Sequence, residues 1–294
     1  MSTGNGTRWV HPTSLGEALA ELAVPGSRPA AGCTQLAFAL ADPRRRPDRL
    51  VALGGVPELS AVQRMSWADG RGTLVLGSAV THARAAADPQ VREAVPVLAD
   101  VFSRVGNVRV RAMATVGGVL AGAVYAWDPP TVLRALGARA RLDGPNGRRT
   151  VPLDDFYPDP GRTVIDAGEL LTSVEIDVPP PRTVGRYLTL KTRSAEDSSC
   201  LGVAAVLGFD PSGRCVRARL AVGSATPAPV GFPELDALLL GEGPGSSSAK
   251  AVADGYAERV TCVDDLRAGA AYRVEMVRVL VRRAITAAFE DGPA

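Results

Sequence analysis

Residues 109–123 read RVRAMATVGGVLAGA: a threonine, two adjacent glycines and a run of small residues inside the hydrophobic first half of the chain. Small residues are unusual where a core needs bulk. A second glycine-containing stretch, AAGCTQL, occupies residues 30–36. Glycine permits positive φ and close approach of a ligand, and consecutive exposed N–H groups form a concave anion site suited to a diphosphate. Each stretch alone is more often a tight turn, so only the two together indicate a binding site.

Composition narrows the class of protein. The 294 residues suit one large domain or two to three modest ones, and 46% hydrophobic with 22% charged residues is typical of a globular protein. The net charge of +2 gives no nucleic-acid footprint, and the arginine run at 42–49 is typical of a solvated loop. No apolar run approaches the roughly 18 residues of a membrane span, and MSTGNGTRWV lacks the features of a secretory signal. We therefore expect a cytoplasmic protein that binds neither nucleic acid nor membrane.

Several common kinds of site are disfavoured. Neither glycine stretch matches G-x-G-x-x-G or the Walker pattern, which argues against Rossmann and P-loop folds. The four cysteines are far apart and form no C-x-x-C pair, so spacing predicts neither a disulfide framework nor a zinc or iron–sulfur site. Two histidines leave little material for a histidine-based metal site or a catalytic triad. No metal site is expected in this chain.

Short strands and helices alternate through the first half. The apolar spacing of SLGEALAELA predicts a helix over 14–23, with Thr13 or Ser14 as its N-cap and Pro25-Gly26 as its stop. Strands are predicted in DRLVALGG and GTLVLGSAVTH, and helices at 82–87, at 91–105 and in PTVLRALGA. ARARLDGPNGRRTVPLDDF predicts two strands joined by a Gly-Pro-Asn-Gly turn.

A boundary between domains is predicted near 179–184, where three prolines end the strand ELLTSVEIDVPPP. Beyond it, GRYLTLKTR, CLGVAAVLGFD and CVRARLAVGSAT predict an antiparallel sheet. Three helical segments follow, and the last spans about five turns. Its apolar residues, Leu280, Val281, Ile285 and Ala288, fall near one face that would pack on the sheet. This part of the chain is predicted to be an α+β unit.

Taken together, the motifs resemble a known family. AGCTQL is similar to A-G-G-T-D-L, RPDRLVALGGVPEL to R-P-x-x-L-I-D-L-x-x-I-P-E-L, and LVLGSAVTHA to L-x-I-G-A-x-T-T-H. VGNVRVRAMATVGGVLAGAVYAWDPP resembles I-G-x-x-Q-V-R-N-x-G-T-I-G-G-N-L-x-x-A-x-P-x-x-D. These patterns belong to the FAD-binding (medium) subunits of molybdenum hydroxylases, such as the carbon-monoxide dehydrogenase and xanthine dehydrogenase flavoproteins. LDGPNGRRTVPLDDFY, GELLTSVEIDVPP, YLTLKTRSAEDSSCLGVAAVL and ARLAVGSATPAPV extend the resemblance over nearly the whole chain.

The resemblance implies an α+β fold in two domains. Residues 1–180 would form a two-lobed FAD-binding domain of the vanillyl-alcohol-oxidase type, with lobes at about 1–57 and 58–180. Residues 184–294 would form a smaller α+β domain with an antiparallel sheet packed on helices. The cofactor implied is FAD.

The resemblance also implies which residues bind FAD. They are Ala31, Gly32, Cys33, Thr34, Gln35, Leu36, Thr115, Gly117, Gly118, Val119, Gly122, Asp128, Leu170, Leu171 and Lys191. Backbone groups of residues 32–35 would hold the diphosphate. Thr115, Gly117 and Gly118 would hold it from the second loop and approach the flavin. Asp128 would accept hydrogen bonds from the sugar-like part, and residues 170–171 would touch the adenine end or the ring system. Lys191 would lie near the cofactor from the second domain.

The chain departs from the family pattern at several positions. Cys33 stands where the pattern has a second glycine, which costs conformational freedom. Val119 replaces an asparagine whose hydrogen bond to the cofactor would contribute around 1 kcal/mol. Gln35 ends the first loop in place of Asp or Ser. Tyr125 and Trp127 are bulky where the pattern is often small, and an aromatic there would either stack on the flavin or pack in the core.

Three functions follow as hypotheses. In the first, electrons pass from a molybdenum-cofactor subunit through an iron–sulfur subunit to FAD in this chain, and then to NAD, a quinone or dioxygen. In the second, the chain is a stand-alone flavoenzyme that oxidises a small-molecule substrate directly. In the third, motivated by Cys33 and Val119, it is a cofactor-free binding or structural protein. No catalytic acid or base is assigned in any of them.

Overall fold

The structure is a computed structural model that describes residues 7–42, 44, 46–66 and 71–292. The arginine run expected to be a solvated loop falls partly outside these residues. The strands are β1 (Arg8–Val10), β2 (Ser27–Ala30), β3 (Arg49–Ala52), β4 (Val62–Ser66), β5 (Gly72–Gly77), β6 (Arg139–Gly144), β7 (Gly147–Pro152), β8 (Leu170–Asp177), β9 (Thr183–Leu190), β10 (Leu201–Phe209) and β11 (Cys215–Gly223). The helices are α1 (Leu15–Leu22), α2 (Leu36–Ala41), α3 (His82–Ala87), α4 (Pro89–Ala94), α5 (Pro96–Arg104), α6 (Val108–Met113), α7 (Val116–Ala121), α8 (Pro129–Ala135), α9 (Pro233–Asp236), α10 (Ser248–Arg259) and α11 (Ala270–Glu290). None of the helices in this described part is both long and apolar enough to cross a membrane.

The first lobe is built on a small parallel sheet with strand order β1-β3-β2. The predicted helix over 14–23 is confirmed as α1, because the Ser14 hydroxyl accepts a hydrogen bond from the Glu17 N–H and caps the first turn. Its apolar face buries Ala18 and Leu22 in a cluster with Val51 of β3. This lobe places the loop after β2 at the edge of the second lobe.

The second lobe contains a five-stranded antiparallel sheet with the order β4-β5-β8-β6-β7. The predicted strand, turn and strand are confirmed as β6 and β7, and Gly147 enters β7 with a φ of 95° that favours glycine. β8 follows β7 along the chain but inserts between β5 and β6. The ends of β5 and β8 therefore lie side by side, which brings residues near 78 and 171 to one edge.

The single helix predicted over 91–105 is wrong, because the chain forms two helices there. α4 ends at Ala94 and α5 begins at Pro96, with Val95 at φ −146° and ψ 67° between them. Proline has no N–H for the helical ladder, and its ring disfavours a helical conformation in the preceding residue.

The C-terminal sheet is antiparallel, as predicted, with the order β11-β10-β9. All nine residues of β10 are buried, since helices cover both of its faces. Val203 and Leu207 share a core with the predicted apolar face of α11, which buries Leu280, Val281, Ile285 and Ala288. Ala204 and Val206 belong instead to the core of the second lobe, where α8 packs on β10 and α5 packs on the neighbouring β9. The two domains are therefore joined through this strand.

Candidate functional site

A cavity of about 470 Å³ opens between the two lobes of the first domain. Thirteen of the fifteen residues expected to bind a cofactor line it. They are Ala31, Gly32, Cys33, Thr34, Gln35, Leu36, Thr115, Gly117, Gly118, Val119, Gly122, Leu170 and Leu171. The two stretches, 30–36 and 114–122, are far apart in sequence and both line this one cavity.

The first loop connects β2 to α2 and offers a row of hydrogen-bond donors. In the part of the chain that the structure describes, the backbone N–H groups of residues 32–35 have no protein acceptor. Cys33 has a φ of 56°, in the left-handed region that favours glycine, so this loop keeps the glycine-like backbone despite the side chain. Burial raises the pKa of the Cys33 thiol and keeps it neutral. Free successive N–H groups beside a left-handed residue are the arrangement in which backbones bind anions.

Gly32 allows the two loops to meet. A Cβ atom added at Gly32 would lie 1.8 Å from the backbone oxygen of Met113, at the end of α6. No side chain fits at that distance, so only glycine lets the first loop pack against the segment that enters the second loop.

The second loop begins α7 and is tied firmly to the end of β5. Thr115 caps α7, and its Oγ1 accepts a hydrogen bond from the Gly118 N–H at 3.0 Å. The Gly117 N–H donates to the backbone oxygen of Ser78 at 2.8 Å, and a Cβ on Gly117 would lie 2.5 Å from the Ser78 Cβ. Both glycine N–H groups are therefore used within the protein and are not free donors for a diphosphate. What these glycines provide is a wall without side chains.

Two buried polar residues of the cavity, Ser78 and His82, are absent from the residues that sequence reasoning selected. Ser78 is 4% exposed and His82 1% exposed. The His82 Nε2 lies 3.3 Å from the Thr115 carbonyl oxygen, and burial lowers the pKa of His82 to about 4. His82 is thus a neutral imidazole that donates to the second loop. The signal was available in LVLGSAVTHA, where polar residues directly follow a buried strand.

The two aromatic residues at 125 and 127 have different roles. Trp127 lines the cavity and packs on Gly122, where an added Cβ would lie 2.7 Å from the indole Cζ3. Tyr125 points away, and its hydroxyl donates to Asp265 of the C-terminal domain at 2.5 Å. The guanidinium of Arg267 lies 5.3 Å from the centre of the Tyr125 ring. Of the two expected positions for an aromatic near the flavin, only 127 faces the cavity.

Asp128 and Lys191 line a second cavity of about 380 Å³ and not the first. The Asp128 carboxylate accepts hydrogen bonds from three hydroxyls of the C-terminal domain, those of Tyr187, Ser199 and Ser224. Lys191 donates from Nζ to the Ala195 carbonyl oxygen at 2.6 Å. Burial and the nearby Asp128 raise the pKa of Tyr187 well above its usual value.

The two cavities are neighbours. Val105 and Trp127 line the first, while their chain neighbours Gly106 and Asp128 line the second. The two cavities therefore come close to each other at residues 105–106 and 127–128. The structure therefore brings thirteen of the expected residues together in the first cavity and places Asp128 and Lys191 in the second.

The residues of the first cavity fit FAD. The free N–H row in the first loop suits its diphosphate, and the apolar side chains of Leu53, Val110, Leu170 and Leu171 suit its flat rings. A Cβ atom at Gly32 or Gly117 would clash with neighbouring atoms, so the cavity wall at these two positions is bare backbone. A cleft of this kind, between two lobes and with a donor row at one end, defines a class of protein that binds an elongated dinucleotide.

Comparison with protein families narrows this class. Residues 5–180 match the FAD binding domain in molybdopterin dehydrogenase, and residues 186–288 match the CO dehydrogenase flavoprotein C-terminal domain. The chain belongs to the family of FAD-binding medium subunits of molybdenum hydroxylases.

Individual relatives agree over almost the full length. The chain is 30% identical to the carbon monoxide dehydrogenase medium chain of Afipia carboxidovorans, covering 93% of each chain. It is 30% identical to the nicotine 6-hydroxylase medium subunit of Paenarthrobacter nicotinovorans, covering 96% of each. Among solved structures, quinoline 2-oxidoreductase from Pseudomonas putida 86 superposes with a TM-score of 0.89 at 30% identity, covering 97% of each chain.

Proposed function

We propose that this chain is the FAD-binding electron-transfer subunit of a molybdenum hydroxylase and assembles with a molybdenum-cofactor subunit and an iron–sulfur subunit. The observation that carries the proposal is the single cavity lined by both glycine loops, with the free N–H groups of residues 32–35 at one end. The relatives are described as a medium chain or medium subunit, which supports membership of a larger complex. When bound, FAD would supply the redox chemistry of the subunit.

The residues of this chain bind and orient in this proposal, and none acts as an acid or base. The N–H groups of residues 32–35 would hold the diphosphate, and Leu170 and Leu171 would exclude water from the rings. His82 is held neutral by burial and does not exchange a proton near neutral pH. In this proposal the chain binds and orients the cofactor through the shape of the cavity and its backbone N–H groups.

We also propose the domain limits 1–180 and 184–294, with the first domain divided into lobes at about 1–57 and 58–180. The ends of the two family matches, at 180 and 186, support the first boundary. A cytoplasmic location is supported by the four cysteines, Cys33, Cys200, Cys215 and Cys262, which are all free thiols.

The test begins with the visible absorption spectrum of the purified full chain, which is expected to show a flavin that is released as FAD. A tagged copy in the native organism is expected to copurify with subunits that contain molybdenum and iron–sulfur clusters. A chain that neither carries nor takes up FAD, or that copurifies with neither partner, would contradict the proposal.

A matched pair of variants ties the cofactor to the cavity. Gly32→Ala introduces a Cβ 1.8 Å from the Met113 oxygen and separates the two loops, so FAD affinity should fall at least tenfold. Gly54→Ala serves as the control, because a Cβ there meets no atom within 4 Å. Circular dichroism verifies that both variants fold, and fluorescence titration gives the affinities.

A further inference from the structure

An exposed apolar surface lies at the mouth of the first cavity. The helix α2 has the sequence LAFALA, without a polar side chain. Phe38 in this helix lines the cavity and is nonetheless 74% exposed, so it stands at the cavity mouth. Met113, at the end of α6, is 55% exposed, and its backbone oxygen contacts the first loop at Gly32. Large apolar side chains exposed beside a cavity are typical of a surface that a partner covers.

A basic cavity of about 650 Å³ adjoins this surface. Three of the described residues that line it are arginines, Arg28, Arg44 and Arg46, and one is an acid, Asp48. Arg28 also lines the first cavity, so the two cavities meet at this residue. The Arg46 Nε donates to the Leu40 carbonyl oxygen at 2.7 Å, which places this guanidinium against the end of α2. The arginines therefore form a positively charged border beside the apolar surface.

Two of these three positive charges are not neutralised by the described residues. Arg44 forms an ion pair with Asp42. The Arg28 guanidinium has neither a hydrogen bond nor an ion pair within the described part of the chain. Arg46 contacts a carbonyl oxygen, which carries no net charge. Arginines with unused donors bind carboxylates well, so the border favours an acidic partner.

The residue types indicate that this partner is a protein. Interfaces between proteins have an apolar centre and a polar border, and they are enriched in aromatic residues, methionine and arginine. Phe38 and Met113 supply the apolar centre, and the arginines of the basic cavity supply the border. The surface therefore fits a protein that presents an apolar patch beside acidic side chains.

We propose that the iron–sulfur subunit docks on this surface, with apolar side chains on Phe38 and Met113 and carboxylates on the basic cavity. This inference rests on the proposed function. A subunit seated on Phe38 covers the mouth of the cavity that would hold FAD and comes close to the cofactor. The electron donor to FAD needs this position, because electron transfer slows steeply with distance. The molybdenum-cofactor subunit passes its electrons through the iron–sulfur subunit in the proposed path and does not need it.

The first test measures how the purified iron–sulfur subunit binds to the full chain saturated with FAD, by surface plasmon resonance. Phe38→Ala removes the apolar centre and should raise the Kd by roughly tenfold or more, mainly through faster dissociation. Its control is Val216→Ala, which truncates a 59% exposed side chain on β11 and should leave the Kd within about twofold. Circular dichroism verifies that both variants fold.

A second pair of variants tests the charged border. Arg46→Glu should slow association by about fivefold at low salt, and the effect should shrink as the salt concentration rises. Arg283→Glu makes the same change of net charge at an exposed position on α11 and should leave the association rate within about twofold.

The outcomes separate this inference from the proposal on which it rests. A chain that binds neither FAD nor the iron–sulfur subunit overturns both. If the unchanged chain binds the subunit and Phe38→Ala and Arg46→Glu bind it equally well, the docking surface is wrong while the proposed function stands. The docking surface is also wrong if the two controls weaken binding as much. If Phe38→Ala and Arg46→Glu instead weaken binding of the molybdenum-cofactor subunit, or dissociate a dimer of this chain, the assignment to the iron–sulfur subunit is overturned.

Discussion

The strained backbone at Cys33 gives a prediction whose size can be worked out. Cys33 has a φ of 56°, and a side chain in the left-handed region costs roughly 1–2 kcal/mol compared with glycine. Glycine also loses more conformational freedom on folding, and this offsets roughly 0.5–1 kcal/mol of the stability that it would add. Replacing residue 33 by glycine should therefore leave a net gain of about 0.5–1 kcal/mol in the free energy of unfolding, relative to a residue with a Cβ but no thiol.

The comparison that isolates this effect is Cys33→Gly against Cys33→Ala. The two variants both remove the thiol, which donates only a long 3.5 Å contact to the Ala31 carbonyl oxygen. They differ in the Cβ, which is the atom that makes the left-handed conformation costly. Urea unfolding of the flavin-free chain, followed by tryptophan fluorescence, gives the difference.

The glycine variant is expected to be the more stable of the two. FAD affinity should change little in either, because the contact proposed for residue 33 is made by its backbone N–H. Equal stability of the two variants, or a more stable alanine variant, would refute the conclusion that this loop holds a left-handed residue at position 33.

Two further predictions concern the C-terminal domain. Tyr125→Phe removes the hydroxyl that donates to Asp265, so it should lower the free energy of unfolding by about 1–2 kcal/mol. The flavin absorption bands should not shift. A shifted spectrum would place Tyr125 against the flavin. Burial raises the pKa of Asp236 to about 6, although its carboxylate accepts hydrogen bonds from the Leu220 N–H and the Tyr256 hydroxyl. The folded chain then binds this proton more tightly than the unfolded chain, so the contribution is present below pH 4 and is lost as the pH rises to 6. Relative to Asp236→Asn, the unchanged chain should lose up to about 3 kcal/mol over that interval in chemical denaturation, and parallel pH profiles would contradict the raised pKa.

Much of the fold was predictable because its signals are local. The N-cap at Ser14 and the turn before Gly147 act within a few residues, and both are found where the sequence indicates them. The break at Val95 was also local, since Pro96 is visible in the sequence and forces the preceding residue out of the helix. The insertion of β8 between β5 and β6 was not predictable, because strand order depends on contacts between distant segments.

The candidate site shows the same division. The glycine loops are recognisable as motifs, but the reason for Gly32 lies in its distance from the Met113 oxygen, more than eighty positions along the chain. Ser78 and His82 directly follow a buried strand, which marks them as candidates, but only the packed structure shows that they line the cavity. Asp128 was selected as a ligand residue, yet hydroxyls of the C-terminal domain surround it. Such partners become visible only when the domains are packed together.

The burial of β10 on both faces has a consequence for how this protein can be divided. Cutting the chain near residue 180 would remove α8 from β10 and α5 from β9, and would leave Ala204 and Val206 facing water on one side. Each fragment would expose an apolar surface that is meant to be internal, and would be prone to aggregate. We expect the two halves to fold only when made as one chain, so any exchange of parts between relatives must transfer both together.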